Sequence, residues 1–190
     1  IRTLTMVKFC SWNARSLQNA SKREGFLNWC IQNRITHIGV SEIWNLHKHP
    51  GWFDKRISGF RAFGFCHESK RRGVACFVPS NLELSILEEF CWNTEVCQVI
   101  CYQYSGLAIV QAYIPDGSTS AGMKLLIEHM ETLSGKYEKI VLMGDLNARL
   151  PSGNHGGRIL ENFLTNNTEF LRIPIDEPTF IPASTTLDHF

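Results

Sequence analysis

The sequence predicts an α/β domain, and three observations predict it. Ile140-Val141-Leu142-Met143, bounded by Lys139 and Gly144, has the length and β-branched character of a strand buried on both faces. Two stretches carry apolar residues at helical spacing: Phe26, Leu27, Trp29, Cys30 and Ile31, then Met123, Leu126, Ile127, Met130 and Leu133. Between them, Phe60 to Phe65, Val74 to Val78, Leu82 to Leu87, Glu95 to Tyr104 and Leu107 to Ile114 read as successive strands joined by short turns, a meander-like antiparallel region.

Bulk properties narrow the class. At 190 residues, 44% hydrophobic and 11% aromatic, the chain suits one well-cored domain. A formal charge of +1 excludes a global field that would draw in nucleic acid, so any such affinity must be local. The 7 cysteines, with no Cys-x-x-Cys pair, read as free thiols of a reducing compartment, nuclear or cytoplasmic. No apolar run reaches the roughly 18 residues of a membrane span, and Ile1-Arg2-Thr3 opens no signal peptide, so neither a membrane partner nor secretion is expected. The missing initial Met and the patterned last residues suggest a piece of a longer polypeptide.

In chain order, Val7 to Trp12 alternates as a strand that ends at Asn13. Ser21 with Glu24 forms a capping box for the first helix, which runs to about Gln32. His37 to Ser41 is a short apolar strand ending at Glu42. Asn45 to Gly59 reads as a surface loop whose His47 and His49 are solvated, since no third ligand stands at metal-site spacing. The Lys70-Arg71-Arg72-Gly73 turn is the one strong basic cluster; such a cluster is commonly a solvated hairpin tip, and facing phosphate is the functional alternative. Tyr113 closes a strand, Pro115-Asp116-Gly117 turns the chain, Ser118 to Ser120 caps the second helix, and Gly135 stops it. The central strand follows and breaks at Gly144. Then come a loop from Leu150 to Gly157, a short helix carrying Ile159, Leu160, Phe163 and Leu164, and an extended end with a turn at Pro178.

Asn13, Glu42, Tyr113, Asp145 with Asn147, and Asp188 share a position at or just past the end of an apolar strand. If the chain stays extended beyond Gly144, Asp145 and Asn147 project to one side, where a carboxylate can orient a water and an amide can donate to a phosphate oxygen. Taken alone, Asp-x-Asn is more often an Asx turn and a strand-end Glu a solvated rim residue. Together, carboxylates, amides and a phenol suit a hard divalent cation and a phosphate ester.

The motifs Trp12-Asn13-Ala14-Arg15-Ser16-Leu17, Ser41-Glu42, Arg72-Gly73-Val74-Ala75, Tyr113-Ile114-Pro115, Gly144-Asp145-Leu146-Asn147-Ala148, Gly157-Arg158-x-Leu160, Pro178-Thr179-Phe180 and Ser184-Thr185-Thr186-Leu187-Asp188-His189 span almost the whole chain. In this order they resemble the endonuclease/exonuclease/phosphatase superfamily, and within it the apurinic-like endonuclease domains of non-LTR (LINE-type) retrotransposons. The resemblance implies a DNase I-like four-layer sandwich, two packed mixed β-sheets flanked by helices. It also implies Mg²⁺-dependent hydrolysis of a DNA phosphodiester, with Mn²⁺ as a substitute, nicking double-stranded DNA for target-primed reverse transcription by a reverse transcriptase module of the same polypeptide. Glu42 and Asn13 would hold the metal. Asp145 would activate the water, Asn147 bind the scissile phosphate, Tyr113 and Asp188 complete the catalytic rim, and Arg15, Lys70, Arg71, Arg72 and Thr185 face the DNA. The family pattern ends in Ser-Asp-His on a final strand, and this chain stops at Phe190 without it, so the expected sheet lacks its last strand; His189 and the loop residue His155 are poor substitutes. A catalytically inactive binding domain and a phosphatase of the same superfamily are the alternative readings.

Overall fold

The computed structural model describes residues 7–44, 56–67, 71–151, 153–173 and 186–188, the last three by their backbone. Two compact units, Ile1–Leu82 and Glu83–Phe190, are each built on one mixed β-sheet. The expected pair of mixed sheets flanked by helices is therefore present. His47, His49, Lys70, Thr185, His189 and the turn at Pro178 lie outside the described residues.

The first unit opens with a β-α-β element. Strand β1 (Phe9–Asn13) leads through helix α1 (Ala20–Gln32) to β2 (His37–Ser41), which pairs parallel to β1 from Phe9↔His37 to Asn13↔Ser41. Strands β3 (Arg56–Ile57), β4 (Phe60–Phe65) and β5 (Val74–Pro79) complete the order β1-β2-β5-β4-β3, every other pairing being antiparallel. Helix α1 begins two residues earlier than the capping box predicts. Asn19, not Ser21, is the N-cap, its Oδ1 accepting from the Lys22 N–H at 3.0 Å. Its buried face is also narrower: Leu27 and Cys30 enter the core with Ile38, Val40, Phe60 and Phe77, while Trp29 and Ile31 are exposed.

The second unit repeats the device. Strands β6 (Ser85–Ile86) and β7 (Trp92–Asn93), with a 3₁₀ turn at Glu88–Phe90 between them, pair with β8 (Gln98–Tyr104), which forms a hairpin with β9 (Leu107–Tyr113). Helix α2 (Thr119–Ser134) then carries the chain to β10 (Lys139–Leu150), parallel to β9, and α3 (His155–Asn166) follows. Strand β11 (Thr186–Asp188) pairs antiparallel with β10, giving the order β11-β10-β9-β8-β6. Met123, Leu126, Met130 and Leu133 of α2 pack with Leu160 and Phe163 of α3 against Val110, Ala112, Leu146 and Ala148. Ser118 makes no side-chain capping bond.

Three further expectations change. The meander is not one sheet: β4 and β5 belong to the first unit and β6, β8 and β9 to the second, and Leu82 to Leu87 contributes only the exposed pair Ser85–Ile86. Alternation marks a strand but carries no label for the sheet it joins. The central strand does not end at Gly144 but continues to Leu150, and its fully buried residues are Met143 to Leu146 and Ala148, with Ile140, Val141 and Leu142 half-buried. A groove lined by Leu164, Phe170 and Leu171 runs beside those three residues and keeps one side of them open. His155 begins α3 and does not lie in a loop.

All 7 cysteines are free thiols, and burial pushes Cys97 and Cys101 up to about 12, where the reactive thiolate is scarce. Burial lowers both His37, which stacks on Phe9, and His129 to about 4, so they are core groups, neutral at pH 7. Among the described residues no helix is long and apolar enough to cross a membrane.

Gly144 is a contact and not a terminator. It adopts φ +145°, and a Cβ there would lie 1.9 Å from the Ala112 carbonyl oxygen. Glycine alone lets β9 and β10 close at this point. Gly144→Ala is expected to destabilise the protein by on the order of 3 kcal/mol, read as a lowered denaturation midpoint at unchanged m-value.

Candidate active site

In a parallel pair both strands end at the same edge, and a short polar segment after each strand places its side chains there. In the first unit the ladder of β1 and β2 continues past the strands: the Ala14 N–H donates to Ser41 O (2.9 Å), Ser16 N–H to Glu42 O (2.7 Å) and Leu17 N–H to Ile43 O (3.2 Å). Asn13 Nδ2 consequently reaches Glu42 and donates to its Oε1 at 2.9 Å, while Asn13 Oδ1 accepts from the Arg15 N–H at 3.1 Å. Glu42 Oε2 accepts from Trp44 Nε1 at 3.2 Å. The carboxylate is thus gripped on both oxygens, and both Glu42 and Asn13 are half-buried.

Basic side chains surround this pair. Lys22 Nζ, from the first turn of α1, donates to the Ala14 carbonyl and lies 5.3 Å from the centre of the Trp12 ring; Arg23 Nη1 donates to Leu17 O at 2.6 Å. The basic turn joins the same neighbourhood by backbone, since Trp44 N–H donates to Arg72 O (3.1 Å) and Ile43 N–H to Gly73 O (3.2 Å). Arg71 lies over the Trp44 ring at 5.9 Å, and Arg15 is exposed. Residues Arg15, Arg71 and Arg72, widely separated in sequence, therefore flank the loop that carries Glu42. Trp44 and Lys22 were not singled out from sequence. An aromatic two residues past a strand-end acid was the available signal for Trp44.

In the second unit, one row of backbone register crosses three strands: Tyr113 on β9 is opposite Asp145 on β10, which is opposite Asp188 on β11. Asp145 is 4% exposed, and its Oδ1 accepts from the Asn147 N–H at 3.1 Å. Strand β10 runs on through Asp145 and Asn147, but regular alternation is interrupted, its pairing with β11 shifting register between Asp145 and Leu150. Asn147 adopts φ +48°, the left-handed region, and its Nδ2 donates to Ile114 O at 2.8 Å. Asp145 and Asn147 are joined by the backbone bond at this irregular point of β10. His155 contacts Arg158 at 3.3 Å and is exposed.

The donors fit a hard cation. Glu42 supplies carboxylate oxygens, the donor type a hard cation takes, and Asn13 beside it an amide. Among the described residues no group of three or more His, Cys, Asp and Glu could hold a metal. That excludes a zinc-type cage among them, while Mg²⁺ is ordinarily bound by one or two carboxylates and completed by water and phosphate.

Neither a family model nor a curated protein sequence matches the chain. Solved structures do match its fold. An AP endonuclease from Archaeoglobus fulgidus superposes with TM-score 0.66 at 14% identity, over 97% of this chain and 85% of that one. A Neisseria 3′ phosphatase bound to a product DNA hairpin gives 0.67 at 16% identity, over 97% and 85%. The endonuclease domain of TRAS1, a telomere-specific non-LTR retrotransposon, gives 0.66 at 13% identity, over 94% and 81%. The fold is that of the endonuclease/exonuclease/phosphatase proteins, DNase I-like, and its structural neighbours include a retrotransposon endonuclease domain.

Trp44→Phe removes one N–H from the Glu42 carboxylate and keeps the aromatic body. Partners of this kind are commonly worth about tenfold or more in metal affinity. If Glu42 holds a divalent cation, the variant should bind Mg²⁺ about tenfold more weakly by calorimetric titration, with its fold intact by circular dichroism.

Proposed function

We propose that this chain is a Mg²⁺-dependent endonuclease that hydrolyses a DNA phosphodiester, with Mn²⁺ able to substitute. The observation that carries the reading is that each unit, by itself, sets a polar pair at the carboxyl end of a parallel strand pair, Asn13 with Glu42 in the first and Tyr113 with Asp145 in the second, in a fold shared with an AP endonuclease and a retrotransposon endonuclease domain.

Glu42 holds the cation, and Asn13 orients its carboxylate through the 2.9 Å bond. When bound, the cation supplies charge neutralisation for the phosphate. Asp145, shielded from bulk water, accepts a proton from the attacking water and fixes its direction. Asn147 and Tyr113 donate to the non-bridging and leaving oxygens, and Asp188 completes the rim. Phosphodiester hydrolysis needs chiefly this positioning and charge stabilisation. Arg15, Arg71 and Arg72, with Lys70 and Thr185, face the DNA backbone. Residues 1–190 act as one catalytic domain of a longer polypeptide whose reverse transcriptase module extends the nicked end, and the free thiols suit the reducing nucleus or cytoplasm. The mannosyl-6-phosphatase from Bacteroides thetaiotaomicron among the structures with this fold keeps a phosphatase as the second reading.

Nicking of supercoiled plasmid tests the reading. The protein should convert it to open circle in Mg²⁺ or Mn²⁺ and stop on chelation, and Asp145→Ala or Glu42→Ala should slow this by about 10² or more. Hydrolysis of a 3′-phosphomonoester without nicking would select the phosphatase. Duplex binding without either activity would select the inactive binding domain.

The basic turn has a separate test. Replacing Arg71 and Arg72 by Ala should weaken binding to duplexes of any sequence and lower the log-log salt slope by about 0.9 for each lost phosphate contact. An unchanged slope would leave the turn an ordinary solvated tip.

A further inference from the structure

Asn147 is held in a conformation that L-residues adopt at some cost, and the group that secures it lies seven residues on. Asn154 Nδ2 donates to the Asn147 carbonyl at 2.7 Å. Its Oδ1 accepts from the Arg149 N–H at 3.2 Å and from the Gly157 N–H at 2.8 Å. One side chain therefore ties the end of β10 to the first turn of α3. The two elements are pressed together there, since a Cβ on Gly157 would lie 2.2 Å from the Arg149 carbonyl oxygen.

An N-cap alone explains part of this. Asn is a preferred N-cap, and the bond from the Gly157 N–H to Oδ1 is what a cap makes. Capping uses only the side-chain oxygen. The amide N–H of Asn154 does something else: it holds the carbonyl of Asn147, a residue also tied on the other side of its Cα by its N–H to Asp145 and by its side chain to Ile114 O. No other side-chain bond to the Asn147 carbonyl occurs among the hydrogen bonds described.

We propose that Asn154 is a positioning residue for hydrolysis, setting the direction of the Asn147 amide and, through the Asn147 N–H, of the Asp145 carboxylate. The proposal rests on the reading of Asn147 and Asp145 as the phosphate-binding and water-activating groups. It adds a residue in contact with neither water nor phosphate, on which their geometry depends.

Two variants separate clamp from cap. Asn154→Asp keeps the shape, the cap and both bonds into Oδ1, and turns an oxygen toward the Asn147 carbonyl. Asn154→Ser keeps a preferred cap without charge and is too short to reach Asn147. Both should lower kcat for plasmid nicking by about tenfold to a hundredfold while KM changes by less than about threefold, as expected of a small misplacement. Their thermal midpoints should stay close to wild type, which a merely structural role would not predict alongside a loss of kcat. Combined with Asn147→Ala, Asn154→Ser should add little further loss, because it acts through the group already removed. Unchanged kcat in both variants, or fully additive losses in the double variant, would overturn the proposal. Should the wild-type protein not nick DNA, the functional reading fails by itself, and the clamp is read by nitrogen-15 NMR. Asn154→Ser should shift the Asn147 backbone and side-chain amide signals and speed their exchange, and unmoved signals would overturn the positioning role regardless of activity.

Discussion

The structure depends on the close approach of two parallel strands at Gly144. Parallel pairing of β9 and β10 requires a crossover, which α2 provides, and the in-register ladder from Lys139↔Leu107 to Asp145↔Tyr113 brings both strands to one edge together. Beyond that ladder the Ile114 N–H still donates to Asp145 O at 3.0 Å. The buried carboxylate is thus fixed by backbone before any side chain contributes. In the first unit β1, α1 and β2 solve the same problem, and the continued ladder delivers Asn13 and Glu42. Two short β-α-β elements, one in each unit, thus position Asn13 with Glu42 and Tyr113 with Asp145.

Residues that leave these strands do so under strain. Arg15, Ser16, Glu42, Trp44 and Asn147 all have positive φ, although none is glycine. Each such conformation costs of order 1 kcal/mol or more and persists only where surrounding bonds over-determine it. Those bonds are present: the lacing of Ser16 and Leu17 to Glu42 and Ile43, the grip of Asn13 and Trp44 on the Glu42 carboxylate, and the tie from Asn147 to Ile114. Positive φ also occurs at Arg34, Ser58 and Ser105, which lie in ordinary turns, so it does not by itself mark a site.

Much of this was legible in the sequence because it is local. Apolar runs with a polar residue just past the end located β1, β2, β9 and β10, and the i, i+3, i+4 spacing located α2 with its buried face intact. What escaped notice is non-local or is set by single dihedral angles. Alternation in Phe60 to Ile114 could not say that the chain changes sheets between Pro79 and Ser85. Gly144 looked like a strand breaker, because a glycine that ends a strand and one that admits a neighbouring carbonyl are the same letter. Strand alternation places Asp145 and Asn147 on one side, whereas the bond between them runs from the Asn147 backbone N–H to the Asp145 carboxylate and depends on the positive φ of Asn147. The bond of Trp44 to Glu42 and the capping by Asn19 depend on side-chain directions that spacing alone does not encode.

The turn at Asn147 carries a consequence for mutational tolerance. A left-handed φ of +48° is reached readily by glycine, asparagine and aspartate and poorly by other residues. Glycine lacks a side chain to bond Ile114 O, and aspartate would set an acceptor against that acceptor. Glutamine keeps the amide but loses the backbone preference. The backbone and the hydrogen bond each accept several residues, and their overlap is asparagine alone, so this position should be among the least substitutable in the chain.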